Sequence, residues 1–160
     1  MSSSIRIRVA VADDFEELAP LVTASQLYQK KELEGKILDD ESAFVKQERE
    51  TVKKWLDDNS KVYIMALDSK EKIVGFTLLF DDRVSQQGTI HDLYVTDTMR
   101  GHGIATELIA RAEQWFKAQN INRVVLAVLK TNRAAMKVYE KTGFLPYEDN
   151  YVYLRKNIQK

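Results

Sequence analysis

Arg100-Gly101-His102-Gly103-Ile104-Ala105-Thr106 sets two glycines around a histidine, directly behind the strand-like run Leu93-Tyr94-Val95. The glycines let the main chain turn tightly and leave the first N–H groups of a following helix open. A helix N-terminus carries roughly half a unit of positive charge, so this turn is suited to a phosphate or pyrophosphate. His91 and Asp92 open the same strand and are the nearest groups able to take a proton, the histidine near neutrality. Alternation predicts that they face opposite sides of the sheet and do not share one role. Asn132 and Tyr139 are seven apart, which stands them two turns along one helix face, although Tyr139 also reads as a core aromatic beside Val138 and Met136.

These residues need elements to hold them. Ile5, Ile7 and Val9 alternate with Arg6 and Arg8 as in a strand with one buried face. Asp13 is the expected N-cap of a helix with Phe15, Leu18, Leu21 and Val22 on its apolar stripe, kinked or divided at Pro20. Lys30 to Glu41 reads as a charged loop, and Phe44 to Leu56 as a second helix. Val62–Leu67 and Ile73–Phe80 form an expected hairpin, with Gly75 marking a bulge. After the glycine turn, Ile104, Leu108, Ile109, Ala112, Trp115 and Phe116 share one helix face. Val124 to Leu129 is apolar throughout, as in a strand buried on both faces, so strand, helix and strand make a βαβ unit. A last helix is predicted from the N-cap Asn132 to the C′ residue Gly143, followed by strands at Phe144–Tyr147 and Tyr151–Leu154.

The chain has 160 residues, which suits one domain over 1–160. Twenty-four basic and twenty-four acidic residues cancel, so the overall charge draws it neither to nucleic acid nor to an anionic membrane. There is no cysteine, which excludes disulfides, thiolate metal sites and a cysteine nucleophile. His91 and His102 are the only histidines, and no metal site is expected. MSSSIRIRVA has no apolar h-region and no run of eighteen apolar residues occurs, so the expected location is cytoplasmic.

The strand leading into RGHGIA, the run VVLAVL, and Asn132 followed by Ala135, Tyr139 and Gly143-Phe144 together resemble the GNAT superfamily of acyl-CoA N-acyltransferases. The wording of LYV, RGHGIA and LAVLKTNRAAMKVYEKTGF is most similar to small-amine and polyamine acetyltransferases. The resemblance implies an α/β (α+β) fold, with a mixed, mostly antiparallel sheet, a central splayed parallel strand pair and about four flanking helices. It implies acetyl-CoA as cosubstrate, with the pyrophosphate on Arg100, Gly101, His102, Gly103, Ile104, Ala105 and Thr106. The pantetheine arm would lie along the main chain of Leu93, Tyr94 and Val95, and Asn132 and Ala135 would also stand at the cofactor. Tyr139 would protonate the departing thiolate, and a main-chain N–H near Leu93 or Tyr94 would hold the oxyanion. Relatives that acetylate amines often carry a carboxylate pair where this chain has His91 and Asp92, which leaves both as candidates for the base.

The implied reaction is direct attack by a primary amine in a ternary complex. Such an amine, with a pKa of about 10.4, must first lose a proton. The implied partners are a small-molecule amine and, as an assembly to test, a homodimer. A polyamine would be favoured if Glu32, Glu34, Asp39, Asp40, Glu41, Asp81, Asp82, Asp92, Glu148 and Asp149 converge on the cleft mouth, whereas solvated surface is the plainer reading of these acids. The alternatives are an amino acid or peptide amine as acceptor, and an acyl-CoA-binding regulatory domain without catalysis. A Rossmann site fails because Thr106 replaces the third glycine and no acid follows at the right distance; a P-loop fails for want of Gly-Lys-Ser/Thr.

Overall fold

The computed structural model describes residues 4–146 and residue 156. Among these residues five strands, β1 (Arg6–Val9), β2 (Lys61–Leu67), β3 (Ile73–Asp82), β4 (Gln87–Val95) and β5 (Arg123–Leu126), form one sheet in chain order. Neighbours are antiparallel except β4 and β5, which are parallel. The helices are α1 (Phe15–Tyr28), α2 (Glu41–Leu56), α3 (Ile104–Ala118) and α4 (Arg133–Lys141).

Strand alternation sends apolar side chains to both faces of the sheet, and helices cover each. On one face Leu18, Ala19 and Val22 of α1 and Val52 of α2 pack on Tyr63, Met65, Leu67, Phe76 and Leu78. On the other, Ile104, Leu108, Ala112 and Phe116 of α3 pack on Ile64, Ala66, Leu79 and Ile90. The expected βαβ unit is β4–α3–β5, its helix lying across the sheet between parallel strands.

Several expectations need correction. The carboxylate at the start of the first helical segment is Asp14, not Asp13: it accepts the Val11 N–H at 2.8 Å and a bidentate pair from Arg8 at 2.8 and 2.7 Å. Those bonds, with Arg8 foremost, hold Asp14 below the usual carboxylate range. Pro20 does not divide α1. It lies on the exposed face, and the buried side chains Leu18, Ala19 and Val22 anchor the helix on either side of the lost N–H. The segment expected as a loop begins instead as a π-helical turn, Gln29–Leu33, closed by Glu34 N–H to the Gln29 carbonyl at 2.9 Å. Asp40 then caps α2 by accepting the Ala43 N–H at 3.0 Å. β5 stops at Leu126 rather than Leu129, and Val124–Leu126 are half-buried rather than enclosed, because β5 pairs only with β4 among the described residues. Residues 144–146 carry no strand; the rest of the expected C-terminal strands lies outside the described residues.

Gly75 does border a bulge, since Ala66 pairs with Gly75 and Leu67 with Ile73. A Cβ at Gly75 would stand 2.9 Å from the Tyr94 carbonyl oxygen, so only glycine allows β4 this close. A second irregularity matters more for function. Leu78 pairs with Asp92 and Leu79 with Ile90, which leaves His91 as an extra residue in β4.

Candidate active site

β5 parts from β4 just where the chemistry-bearing residues begin. Ile90 and Leu126 are the last paired residues, and β4 continues alone to Val95. Thr96 N–H donates to the Val74 carbonyl at 2.9 Å, and the antiparallel pattern therefore turns Tyr94 towards β3 and Leu93 and Val95 towards the gap. The gap opens into a cleft of about 470 Å³ lined by β4, the glycine turn, the start of α3, the start of α4 and the end of α1.

The bulge overturns the expectation that His91 and Asp92 face opposite sides. One extra residue shifts the alternation by one, so both side chains fall on the α1–α2 face. His91 stacks on Phe80 with ring centroids 4.2 Å apart and meets Trp55 edge-on at 5.9 Å. Its partial burial, and then the charge of Lys61, push its pKa down. Asp92 instead lines the cleft and is turned towards α1. Its carboxylate accepts Ser25 Oγ at 3.1 Å, Gln26 Nε2 at 3.0 Å and its neighbour's main-chain N–H, Leu93 N, at 2.9 Å. Burial dominates these bonds and pushes the Asp92 carboxyl up to about 6. Neither expected oxyanion donor is therefore free as drawn: Leu93 N–H is held by Asp92, and Tyr94 N–H belongs to the sheet.

The glycine turn has the open form expected of it. Gly101 and Gly103 both have φ +79°, and a Cβ on either would meet nothing within 4 Å. Gly103 is the N-cap of α3 and has no side chain to cover the helix end; the first bond into the turn runs from Glu107 N–H to the Gly103 carbonyl. The N–H groups of Ile104, Ala105 and Thr106 accordingly have no partner within the helix, and these residues line the cleft. His102 does not, because its Nδ1 bonds back to the Arg100 and Met99 carbonyl oxygens at 3.0 and 3.2 Å. Arg100 spans the end of β4: Nε donates to the Val95 carbonyl at 3.1 Å, and the guanidinium lies 5.4 Å from the Tyr28 ring and 5.7 Å from the Tyr94 ring.

α4 has both of its expected caps. Asn132 Oδ1 accepts the Ala135 N–H at 3.2 Å. At the other end Gly143 takes φ +96°, and Gly143 N–H donates to Glu140 O and Phe144 N–H to Tyr139 O, the two hydrogen bonds of a Schellman motif. The expected common face of Asn132 and Tyr139 is not found. Asn132 and Ala135 line the cleft, whereas the Tyr139 ring is buried towards β5, edge-on to Phe144 at 5.7 Å. The N-cap is not itself helical, so spacing measured from it does not keep the helical phase. Burial, then the negative charge of Asp92, push the Tyr139 hydroxyl up to about 12, so it keeps its proton.

Ser25, Gln26 and Tyr28 of α1, which hold Asp92 and Arg100, escaped the sequence reading. A signal was present: Leu18, Val22 and Ser25 follow helical spacing along one buried stripe, and its last member is a polar residue only 5% exposed. Thr131 Oγ1 also donates to the Leu33 carbonyl at 3.0 Å and so ties the π-helical turn to the segment before α4 across the cleft.

Residues 25–144 match the Acetyltransferase (GNAT) family. Two uncharacterized N-acetyltransferases of Bacillus subtilis are similar over shorter stretches. YobR is 30% identical over 69 residues, 43% of this chain and 28% of its own. YycN is 31% identical over 85 residues, 51% of this chain and 54% of its own. The chain thus spans about half or less of the curated relatives it matches. Among solved structures, the PaiA N-acetyltransferase of Thermoplasma acidophilum in complex with coenzyme A shares the fold, with a TM-score of 0.75 at 19% identity over 92% of this chain and 93% of that one. The family match covers the α1 residues that hold Asp92, the splayed strands, the glycine turn and α4 through Gly143, and the chain belongs to the GNAT acetyltransferase family.

Proposed function

We propose that the protein transfers the acetyl group of acetyl-CoA to a small primary amine by direct attack in a ternary complex. The supporting observation is the gap: β4 runs past its last partner in β5 and turns the main-chain groups of Leu93 and Val95 towards a cleft that ends on an open helix N-terminus. These features suit a long ligand with a pyrophosphate at one end.

Bound acetyl-CoA supplies an activated acyl carbon. The N–H groups from Gly103 to Thr106 hold the pyrophosphate, and Leu93 and Val95 line the arm. Asp92 takes the proton that an amine of pKa about 10.4 must lose. Its place in the cleft favours it over His91, which is packed between Phe80 and Trp55. Tyr139 lies on the β5 side of the cleft, within reach of the charge of Asp92, and its hydroxyl, which keeps its proton, is assigned as the donor to the departing sulfur.

Several of the acids that would favour a polyamine have local partners, and among the described ones only Asp92 lines the cleft. Asp40 caps α2, Glu41 pairs with Lys31, Glu34 with Lys36 and Asp81 with Arg83, and Asp82 binds Ser85. Glu148 and Asp149 lie outside the described residues. The acceptor is therefore read as a small primary amine without a requirement for several charges. A homodimer and a cytoplasmic location belong to the same reading and are checked by sedimentation velocity and fractionation.

Release of CoA thiol with a panel of amines, amino acids, polyamines and peptide N-termini tests the proposal. One thiol should appear per acetylated product, and initial-rate lines should intersect, as there is no cysteine to carry the acyl group. Binding of acetyl-CoA without turnover on any amine would make this an acyl-CoA-binding domain instead.

Gly103→Glu sets bulk and a carboxylate against the pyrophosphate site. It is expected to weaken acetyl-CoA binding by at least ~2 kcal/mol, about 30-fold, in calorimetry on the folded variant. Unchanged affinity would place the cofactor elsewhere. The pH profile follows from Asp92: a base with its pKa raised to about 6 in the free protein is lost as pH falls through that value, so kcat/KM for acetyl-CoA should show an acidic limb there. A limb near the ordinary carboxylate value would assign the proton to a more exposed group.

A further inference from the structure

Leu93 has one N–H, it faces the gap, and in this structure it is spent on the Asp92 carboxylate at 2.9 Å. The same N–H is the main-chain donor of β4 nearest to Asp92 on the side where an acyl group would lie. A single hydrogen cannot serve two acceptors well at once. Asp92 has other support: Ser25 Oγ at 3.1 Å and Gln26 Nε2 at 3.0 Å, both from α1, and Ser25 is almost fully buried.

Given the acyl-CoA site proposed above, we propose that Leu93 N–H serves two acceptors in turn, Asp92 in the free protein and the acyl carbonyl oxygen when the ligand is bound. Ser25 and Gln26 are the positioning residues that keep the carboxylate in place after it releases that bond. The exchange links binding to basicity. A carboxylate that loses one of its donors holds its proton more tightly, so Asp92 becomes a stronger base only when there is an acyl group to transfer. Among the described residues, Glu48 of α2 acts on the carboxylate by its charge, and Asp92 acts in turn on Tyr63 of β2 and Tyr139 of α4; none of the three is a cation that would offset the lost bond. Tyr63 is 2% exposed and its hydroxyl has no hydrogen-bond partner among the described residues.

NMR titration of the Leu93 amide and the Asp92 carboxyl tests the exchange. Three states are compared: the free protein, the protein with CoA, and the protein with the amide analogue of acetyl-CoA, in which nitrogen replaces the thioester sulfur and the carbonyl is kept. In the first two the Leu93 amide should titrate together with Asp92. In the third the Leu93 titration should vanish and the Asp92 pKa should rise by about one further unit over the CoA complex. Ser25→Ala should raise the Asp92 pKa more in the analogue complex, where Ser25 is one of two remaining donors, than in the free protein. If the analogue shifts the amides of Val95 and Ile104 to Thr106 while Leu93 still titrates with Asp92, the exchange is wrong and the acyl-CoA site stands. If neither ligand moves those amides, the site itself is wrong and the exchange goes with it.

Discussion

Asp92→Asn is expected to lower kcat by ~10²–10⁴-fold, the usual contribution of a positioned base, with the affinity for acetyl-CoA little changed. The amide can still accept from Ser25 or Leu93 but cannot take a proton from the amine. Stability should move the other way. The folded-state pKa of Asp92 is raised to about 6 from an ordinary 3.8, so the ionised carboxylate disfavours the fold, and the wild type loses stability as pH rises through about 6. The variant, with no charge to bury, should therefore have the higher Tm at pH 8, and the difference should shrink at pH 5. A residue that merely holds α1 to β4 would give the reverse, a lower Tm and an unchanged kcat.

Tyr139→Phe should reduce kcat by about 10²-fold and leave KM for acetyl-CoA nearly unchanged, since only the hydroxyl is lost and the ring can keep its edge-on contact with Phe144. The hydroxyl is held neutral by burial and by the charge of Asp92, which suits a group that donates and not one that accepts. Stopped-flow measurement of the acetyl-transfer step would separate a chemical defect from slow product release. Wild-type turnover would return Tyr139 to the core, where its burial alone explains it.

What could be read from the chain was what is local in it. The turn at Gly101–Gly103, the amphipathic helix behind it, and the Asn132 and Gly143 caps of α4 each depend on a few neighbouring residues, and each is found where the types and spacing place it. Period-two alternation could not reveal the bulge at His91, because the slip is defined by the pairing of β4 with Leu78 and Leu79 of β3. That slip decides the site: without it His91 and Asp92 would lie on opposite faces. The partners of Asp92 were likewise out of reach, as Ser25 and Gln26 stand in α1, far away in sequence, and only the fold brings them together. Asn132 shows the limit of helical spacing, since its own role as N-cap takes it out of phase with Tyr139. The acidic residues around positions 32–41 illustrate the same point for charge: composition counted them, but their capping and pairing partners determine what field they leave.

A crystal structure of the acetyl-CoA complex tests the central claim most directly. It should show the pyrophosphate on the N–H groups of Gly103 to Thr106 and the pantetheine arm along Leu93 and Val95, in the gap that opens beyond Ile90 and Leu126. A second cavity, of about 750 Å³, lies beyond β5 and is lined by Val124, Leu126, Met136, Tyr139 and Phe144. Acetyl-CoA bound there, with the gap between β4 and β5 empty, would contradict the assignment of the glycine turn, Asp92 and the splayed strands as one active site.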